Sequence, residues 1–249
     1  MLWAIGDVHG QSELLARLLT LLPRSPNDQT VFLGDYIDRG PDSRGVVLQV
    51  LDEIEQGAIA LWGNHEDMAA AAYGLPSLGR IDSERAAETW LIPHNGGPTT
   101  LESFHTTYPG PCPEALQTLF PLLKTHWVDP ETHVEFVHGC APPGRSLDAV
   151  ALEEPTDERP YPGAAVMLWQ GPPSTGTGER HRAIVVGHTS IKSGYPERYG
   201  NHLVIDTNAA RGGPLTALGL CPGHPLFICQ VLPDSSYRFL SETPLGTWE

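Results

Sequence analysis

Basic residues are scarce in this 249-residue chain: 15 Lys and Arg stand against 30 Asp and Glu, a formal net charge of -15. That balance excludes a broad basic face for nucleic acid or for an anionic membrane. It does not exclude phosphate, which an acidic protein can take where metal ions invert the local field. Cysteine is sparse as well. Cys112, Cys140, Cys221 and Cys229 show no C-x-x-C spacing and no dense framework, so reduced thiols in a cytoplasmic protein are expected. No run of 18 apolar residues could span a membrane, and Met1-Leu2-Trp3-Ala4-Ile5 lacks the basic stretch of a signal peptide. Linkers, repeats and charge blocks are missing too, so a single domain over residues 1–249 is expected. So are the nucleophile elbow and the reactive-cysteine signatures of covalent hydrolases.

What is present is a repeated arrangement. Leu2 to Ile5 reads as a buried strand running into Gly6-Asp7-Val8-His9-Gly10. A helix follows with Ser12 as its N-cap and Leu14, Leu15, Leu18, Leu19 and Leu22 on one face. Thr30 to Leu33 leads into Gly34-Asp35-Tyr36-Ile37-Asp38-Arg39-Gly40, and a second helix carries Val46, Val47, Val50, Leu51 and Ile54. Gly57 closes that helix, and Ala58 to Trp62 ends in Gly63-Asn64-His65-Glu66. Three successive units thus put polar residues at the carboxyl end of a strand, where ligand crevices form in open α/β sheets. Helices are expected at 66–73, 83–91, 99–104 and 113–123. The second half is β-rich: His133 to Val137 runs into His138-Gly139, Ala183 to Val186 into Gly187-His188-Thr189, and Leu203 to Ile205 into Asp206-Thr207, with further strands near 214–220, 226–232 and 236–240. Two sheets packed face to face with helices outside accommodate both halves.

Asp7 and His9 can aim one carboxylate and one imidazole at a common point. Asp35 adds two oxygens able to bridge, Asn64 a carbonyl, and His138 and His188 two imidazoles. The inventory suffices for two ions, and mixed O/N ligation favours Mn, Fe or Zn over Ca or Mg. Two metals roughly 3.5–4 Å apart can hold a hydroxide and neutralise phosphoryl oxygens during in-line displacement.

The motifs at 6–10, 34–40, 63–66, 138–139 and 187–189, in this order and spacing, resemble the signature series of PPP-type metallophosphatases in the calcineurin-like metallophosphoesterase superfamily. The stretch Val204-Ile205-Asp206-Thr207 with Gly212-Gly213 and Leu215-Thr216-Ala217-Leu218 is similar to the bacterial and bacteriophage serine/threonine phosphatase branch. The resemblance covers about residues 2–220. It implies a four-layer α/β/β/α sandwich and two divalent ions, with manganese first and iron or zinc as alternatives. Asp7, His9 and the bridging Asp35 would hold the first ion, and Asp35, Asn64, His138 and His188 the second. His65 would be the general acid, Asp38 its orienting partner and Arg39 the phosphate clamp, with Asn64 also facing substrate. The implied substrate is a phosphorylated protein or a small aryl phosphate, with a dinucleoside polyphosphate or phosphodiester as the alternative.

One departure stands out. The family usually carries a second phosphate-binding arginine shortly after a Leu-Trp, but here the chain reads Leu168-Trp169-Gln170-Gly171-Pro172. Either Gln170 substitutes as a neutral donor, or Arg145, Arg180 or Arg182 reaches in from elsewhere. Plainer roles are expected for other residues: Trp169 as a core aromatic, Tyr36 as packing or site edge, Asn95-Gly96-Gly97 as a turn between helices before a lining of the cleft, Asp206 as a site neighbour or strand-end turn, and the remaining histidines as structural or solvated. A catalytically dead scaffold would show eroded ligands or a missing acid, and neither is seen.

Overall fold

The structure is a computed structural model and describes residues 1–142, 144–157, 161–172, 183–221, 224 and 226–240. Its first half alternates β1 (Leu2–Ile5), α1 (Ser12–Leu21), β2 (Gln29–Phe32), α2 (Ser43–Glu55), β3 (Ile59–Ala60) and α3 (Asn64–Ala72). A helical stretch follows, with α4 (Ser83–Trp90), α5 (Gly97–Ser103) and α6 (Glu114–Leu119), the last continuing as a 3-10 turn over Phe120–Leu122. The second half runs β4 (His126–Val128), β5 (Glu135–Val137), α7 (Leu147–Ala151), α8 (Gly163–Trp169), β6 (Ile184–Val186), β7 (Glu197–Tyr199), β8 (His202–Val204), β9 (Leu215–Leu220), β10 (Phe227–Val231) and β11 (Tyr237–Leu240).

These strands form two mixed sheets. One has six strands in the order β11-β10-β9-β1-β2-β3, the other five in the order β4-β5-β6-β8-β7. The period of two along each strand builds the layers. In β1, Trp3 and Ile5 face a core shared with α1, α2 and the helical stretch, while Leu2 and Ala4 face the second sheet. In β6, Val185 packs into the space between the sheets, and Ile184 and Val186 into an outer core with Leu147, Val150 and Met167 of α7 and α8. The result is the expected helix/sheet/sheet/helix sandwich. The parallel pairs β1–β2, β2–β3, β5–β6 and β6–β8 bring the carboxyl ends of those strands to one side.

Two expectations need correction. Ser12 does not cap α1; Gln11 takes that position, and the Ser12 hydroxyl donates to Asp42 Oδ2 at 2.6 Å. Asp42 is itself the N-cap of α2, accepting from the Gly45 amide. Trp169 is not a core residue either, with 36% of its surface exposed at the end of α8. The strands β4 and β7 and the helices α7 and α8 are additions to the sequence reading. Three-residue strands and a five-residue helix are too short for a hydrophobic period to register, and α8 is almost wholly apolar.

Candidate metal centre

Asp7 and His9 follow β1; Asp35, Asp38 and Arg39 follow β2; Asn64 and His65 open α3; His138 follows β5 and His188 follows β6. The structure brings all of them together at the shared carboxyl ends. Asp35 lies at the middle. Its Oδ2 is 3.3 Å from His9 Nε2 and 4.0 Å from His65 Nε2, while its Oδ1 is 3.4 Å from His138 Nε2. Two potential metal groups result, His9–Asp35–His65 and Asp35–His138–His188, each with its ligand atoms within 4.8 Å of one another. They share only Asp35, one oxygen turned to each side.

Second contacts fix the rings. His9 Nδ1 is 2.9 Å from the Ile37 carbonyl and His138 Nδ1 is 2.7 Å from the Leu33 carbonyl. A carbonyl only accepts, so both Nδ1 atoms carry the proton and both Nε2 lone pairs point inward, the arrangement typical of ligating histidines. Asn64 Oδ1 lies 3.0 Å from His138 Nε2 and 2.9 Å from His188 Nδ1, and the Trp169 main chain also hydrogen-bonds the His188 ring. Lone pairs of Asp35, Asn64, His138 and His9 therefore converge on one another with few donors between them. Such a cluster of acceptors fits a cation, and the donor set fits two.

The electrostatics agree. Burial works against charge on Asp35, but the surrounding His138, His65 and His9 rings hold its carboxyl well below the usual range. Burial depresses His138, and burial with the neighbouring His138 pushes His188 down to about 4, so both rings are neutral at physiological pH. Asp7 is offset from the two groups, its oxygens 3.2 and 3.0 Å from the His188 amide. Burial, Asp206 and Asp35 push its acid well up, a strain that a nearby cation relieves. Asp206 itself is buried and accepts from Ser190 Oγ at 2.6 Å and from the Asn208 amide at 2.9 Å, so it is a strand-end turn residue and a neighbour of the site at once.

His65 differs from the other imidazoles. Its Nδ1 lies 2.6 Å from Oδ2 of the fully buried Asp38. Burial opposes protonation, but Asp35 and Asp38 together raise the ring above its ordinary value. Arg39 donates from Nη1 to His9 Nε2 at 2.7 Å, and its Nε is buried with no partner among the described residues. His9, Asp35, Asp38, Arg39 and His188 all have positive φ, from 44° to 73°. Each left-handed residue of this kind costs on the order of 1–3 kcal/mol, and half of the non-glycine positions with positive φ among the described residues fall in this site.

Glu66, which the third motif includes without a role, and Gly96 both support the site. The buried Glu66 carboxylate accepts from the amides of Asp35 (2.8 Å), Tyr36 (2.9 Å), Ile37 (3.2 Å) and Gly63 (3.1 Å), tying the second motif to the third. Gly96 is the turn residue expected between helices, with φ 89°, but it also backs Arg39: a Cβ there would lie 2.8 Å from Arg39 Cα and 2.9 Å from Cγ. Tyr36 packs, its hydroxyl donating to the Leu61 carbonyl at 2.7 Å. Gln170 is exposed at the end of α8, and Arg145 is ion-paired with Glu153. Arg180 and Arg182 lie outside the described residues.

A family model described as calcineurin-like phosphoesterase matches residues 1–214. Over 82 residues the chain is 43% identical to a symmetrical bis(5'-nucleosyl)-tetraphosphatase from Ralstonia nicotianae, covering 32% of this chain and 28% of that protein. Over 96 residues it is 34% identical to serine/threonine-protein phosphatase 1 from Salmonella typhimurium, covering 38% of each. The matches thus span well under half the length of these curated relatives. A serine/threonine phosphatase structure from Saccharomyces cerevisiae superposes with a TM-score of 0.55 at 16% identity, over 97% of this chain and 80% of that one, a likeness of fold. With the family model matched across both sheets, the chain belongs to the calcineurin-like phosphoesterases.

Proposed function

We propose that this protein is a metal-dependent phosphomonoesterase that acts on phosphoserine and phosphothreonine and, less selectively, on small aryl phosphates. One observation carries the reading: the buried Asp38–His65 pair, 2.6 Å apart, with His65 itself in one of the two potential metal groups joined by Asp35. Asp7, His9 and Asp35 would hold one ion, and Asp35, Asn64, His138 and His188 the other; the mixed set suits manganese, iron or zinc, and the family resemblance puts manganese first. When bound, the two ions supply charge neutralisation at the phosphoryl group and an activated water.

The chain's own residues do the rest. Arg39 offers a planar donor pair to the phosphate oxygens, with its stem held against Gly96. Asn64 would face both substrate and metal. His65 keeps Nδ1–H on Asp38 and delivers its Nε2 proton to the leaving oxygen as the P–O bond breaks. That step matters most for an alkoxide such as serine or threonine, whose oxygen leaves poorly without a proton. No helix among the described residues is long and apolar enough to cross a membrane. The four cysteines are free, which fits a reducing, cytoplasmic setting.

The second reading, a dinucleoside-polyphosphate hydrolase, is favoured by the similarity to the Ralstonia protein. That branch typically reads Asn-His-Asp and lacks the aspartate of Asp-Arg-Gly, whereas this chain has Glu66 and Asp38. A side-by-side panel on the manganese-loaded protein decides between them. Phosphoserine peptides are expected to turn over faster than diadenosine polyphosphates or phosphodiesters; the reverse ranking would replace the first reading with the second.

A further inference from the structure

Asp38 has more partners than a histidine-orienting carboxylate requires. Trp90 Nε1–H donates to both of its oxygens, at 3.0 and 2.9 Å, and Thr100 Oγ1–H donates to Oδ1 at 2.6 Å. Both donors come from the helical stretch, 52 and 62 residues away along the chain. The Asp38 amide is bound as well, to Ser43 Oγ at 3.0 Å and Thr100 Oγ1 at 2.9 Å, with the two hydroxyls 3.0 Å apart. The proton assignment closes. Thr100 spends its one hydrogen on Asp38 Oδ1, so Ser43 donates to Thr100 and still accepts from the Asp38 amide.

We propose that Trp90 and Thr100 are positioning residues for proton delivery by His65, so that docking of α4 and α5 completes the general acid. This rests on the reading of His65 as the acid given above. Asp38 is fully buried, and a buried carboxylate is tolerable only when its oxygens are hydrogen-bonded. With Oδ1 held by Thr100 and Trp90, the carboxylate cannot rotate, and Oδ2 is aimed at His65 Nδ1. Neutral donors have a second merit. They stabilise the ionised carboxylate without competing to deliver a proton, so the transferable hydrogen stays on the imidazole and leaves from Nε2. The φ of 73° at Asp38 is held in place by the same Ser43 and Thr100 hydroxyls. Without the helical stretch, His65 would be the sole described hydrogen-bond partner of this side chain.

The test compares a phosphoserine peptide, which has a poor leaving group, with p-nitrophenyl phosphate, which leaves with little help. It uses the metal-loaded protein and the variants Thr100→Val, Thr100→Ser, Trp90→Phe and His65→Asn. Thr100→Val is expected to lower kcat on the peptide about tenfold, as for one hydrogen bond to a charged group, and to lower the peptide-to-aryl ratio of kcat nearly as much. Thr100→Ser should restore the ratio, because it returns the hydroxyl. Trp90→Phe should lower the ratio at least as far as Thr100→Val; if its large core ring makes it insoluble, the threonine pair decides. The His65 Nδ1–H resonance, read by NMR with diamagnetic zinc in place of manganese in the parent and in Thr100→Val, should shift between them and return in Thr100→Ser.

Equal losses on both substrates, or a ratio unchanged in Thr100→Val, would overturn the proposal while leaving the acid intact, provided His65→Asn still suppresses the peptide selectively. A ratio unchanged in His65→Asn would overturn the acid itself, and the proposal with it. An unmoved Nδ1–H resonance in Thr100→Val would show that Thr100 does not set the His65–Asp38 contact.

Discussion

Glu66→Gln is the sharpest probe of how the site is held together. The substitution changes one oxygen to an amide nitrogen and leaves volume and shape alone. In the parent, Glu66 Oε2 accepts from the Asp35 and Gly63 amides and Oε1 from the Tyr36 and Ile37 amides. Every hydrogen-bond partner that the described residues supply to this side chain is thus a donor. Whichever way a glutamine amide is turned, its NH2 end faces two backbone N–H groups. Two buried donors lose their acceptor, at about 1–3 kcal/mol each, or roughly 2–6 kcal/mol together. Set against a typical stability of about 5–15 kcal/mol, that is a large fraction. At about 2–4 °C per kcal/mol for a chain of this size, a fall in Tm of roughly 5–20 °C is expected. The loop freed by the substitution carries Asp35 at φ 54°, so bound metal per chain should fall as well.

Thermal unfolding with metal analysis checks this, and the opposite result has a definite meaning. Burial and the neighbouring Asp35 push the Glu66 acid upward, while the four amide donors hold it as the carboxylate. A protonated oxygen would point its hydrogen at one of these donors. Were Glu66 protonated in the fold up to about 8, the native state would bind a proton that the unfolded chain releases near 4.5. Stability from this residue would then fall as pH rises from 4.5 to 8. The ionised residue predicts no such slope in the parent-minus-variant difference. A Glu66→Gln protein within about 1 kcal/mol of the parent and fully active would refute the hydrogen-bond argument.

Chelation should abolish turnover and manganese should restore it; full turnover in excess chelator would remove metal from the chemistry. Arg39→Lys keeps the charge but loses the planar fork, so KM for phosphomonoesters should rise by about tenfold or more, measured by initial rates. Gly96→Ala leaves every donor in place but forces a Cβ into the Arg39 backbone at a φ of 89°, and should raise KM in the same direction. A Gly96→Ala protein with parental KM would show that Arg39 is not held by this contact. His65→Asn should retain bound metal and lose about 10²- to 10⁴-fold on poor leaving groups, as removal of a general acid does.

Much of this site was legible because each motif sits where a strand ends. Asp7, His9, Asp35, Asn64, His138 and His188 are separated by up to 181 residues in sequence, yet parallel strands deliver them to one edge. The two sheets were legible for a related reason: Leu2 and Ala4 alternate with Trp3 and Ile5, so one strand feeds two cores. What escaped was positional support. Trp90 and Thr100 lie in a stretch whose helical period says only that one face is buried. Nothing local marks a core tryptophan as a donor to a carboxylate 52 residues away. Glu66 escaped differently. The motif that contains it does not show that its oxygens are spent on backbone amides. Trp169 was misjudged because aromatic character predicts burial, while the end of a short helix leaves part of the ring exposed.

The departure at Gln170 bears on how substrate charge is met. Arg145 is committed to Glu153, Gln170 is exposed at a helix end, and Arg39 is the one guanidinium among the described residues that hydrogen-bonds a candidate metal ligand. Its charge is felt by Asp7 and by His65 alike. On the proposed reading it would serve two ends, offsetting the carboxylates and gripping the phosphate. Its buried Nε, unpartnered among the described residues, and its Nη1 on His9 leave a fork that can turn from an imidazole to a phosphoryl oxygen. Gly96 behind the stem and Asp38 beside it in sequence fix where that fork can swing. The helical stretch thus touches the candidate site twice, through Gly96 at Arg39, the proposed clamp, and through Trp90 and Thr100 at Asp38, the partner of the proposed acid. A perturbation there should reach substrate binding and proton delivery by separate routes, which KM and the leaving-group dependence of kcat resolve.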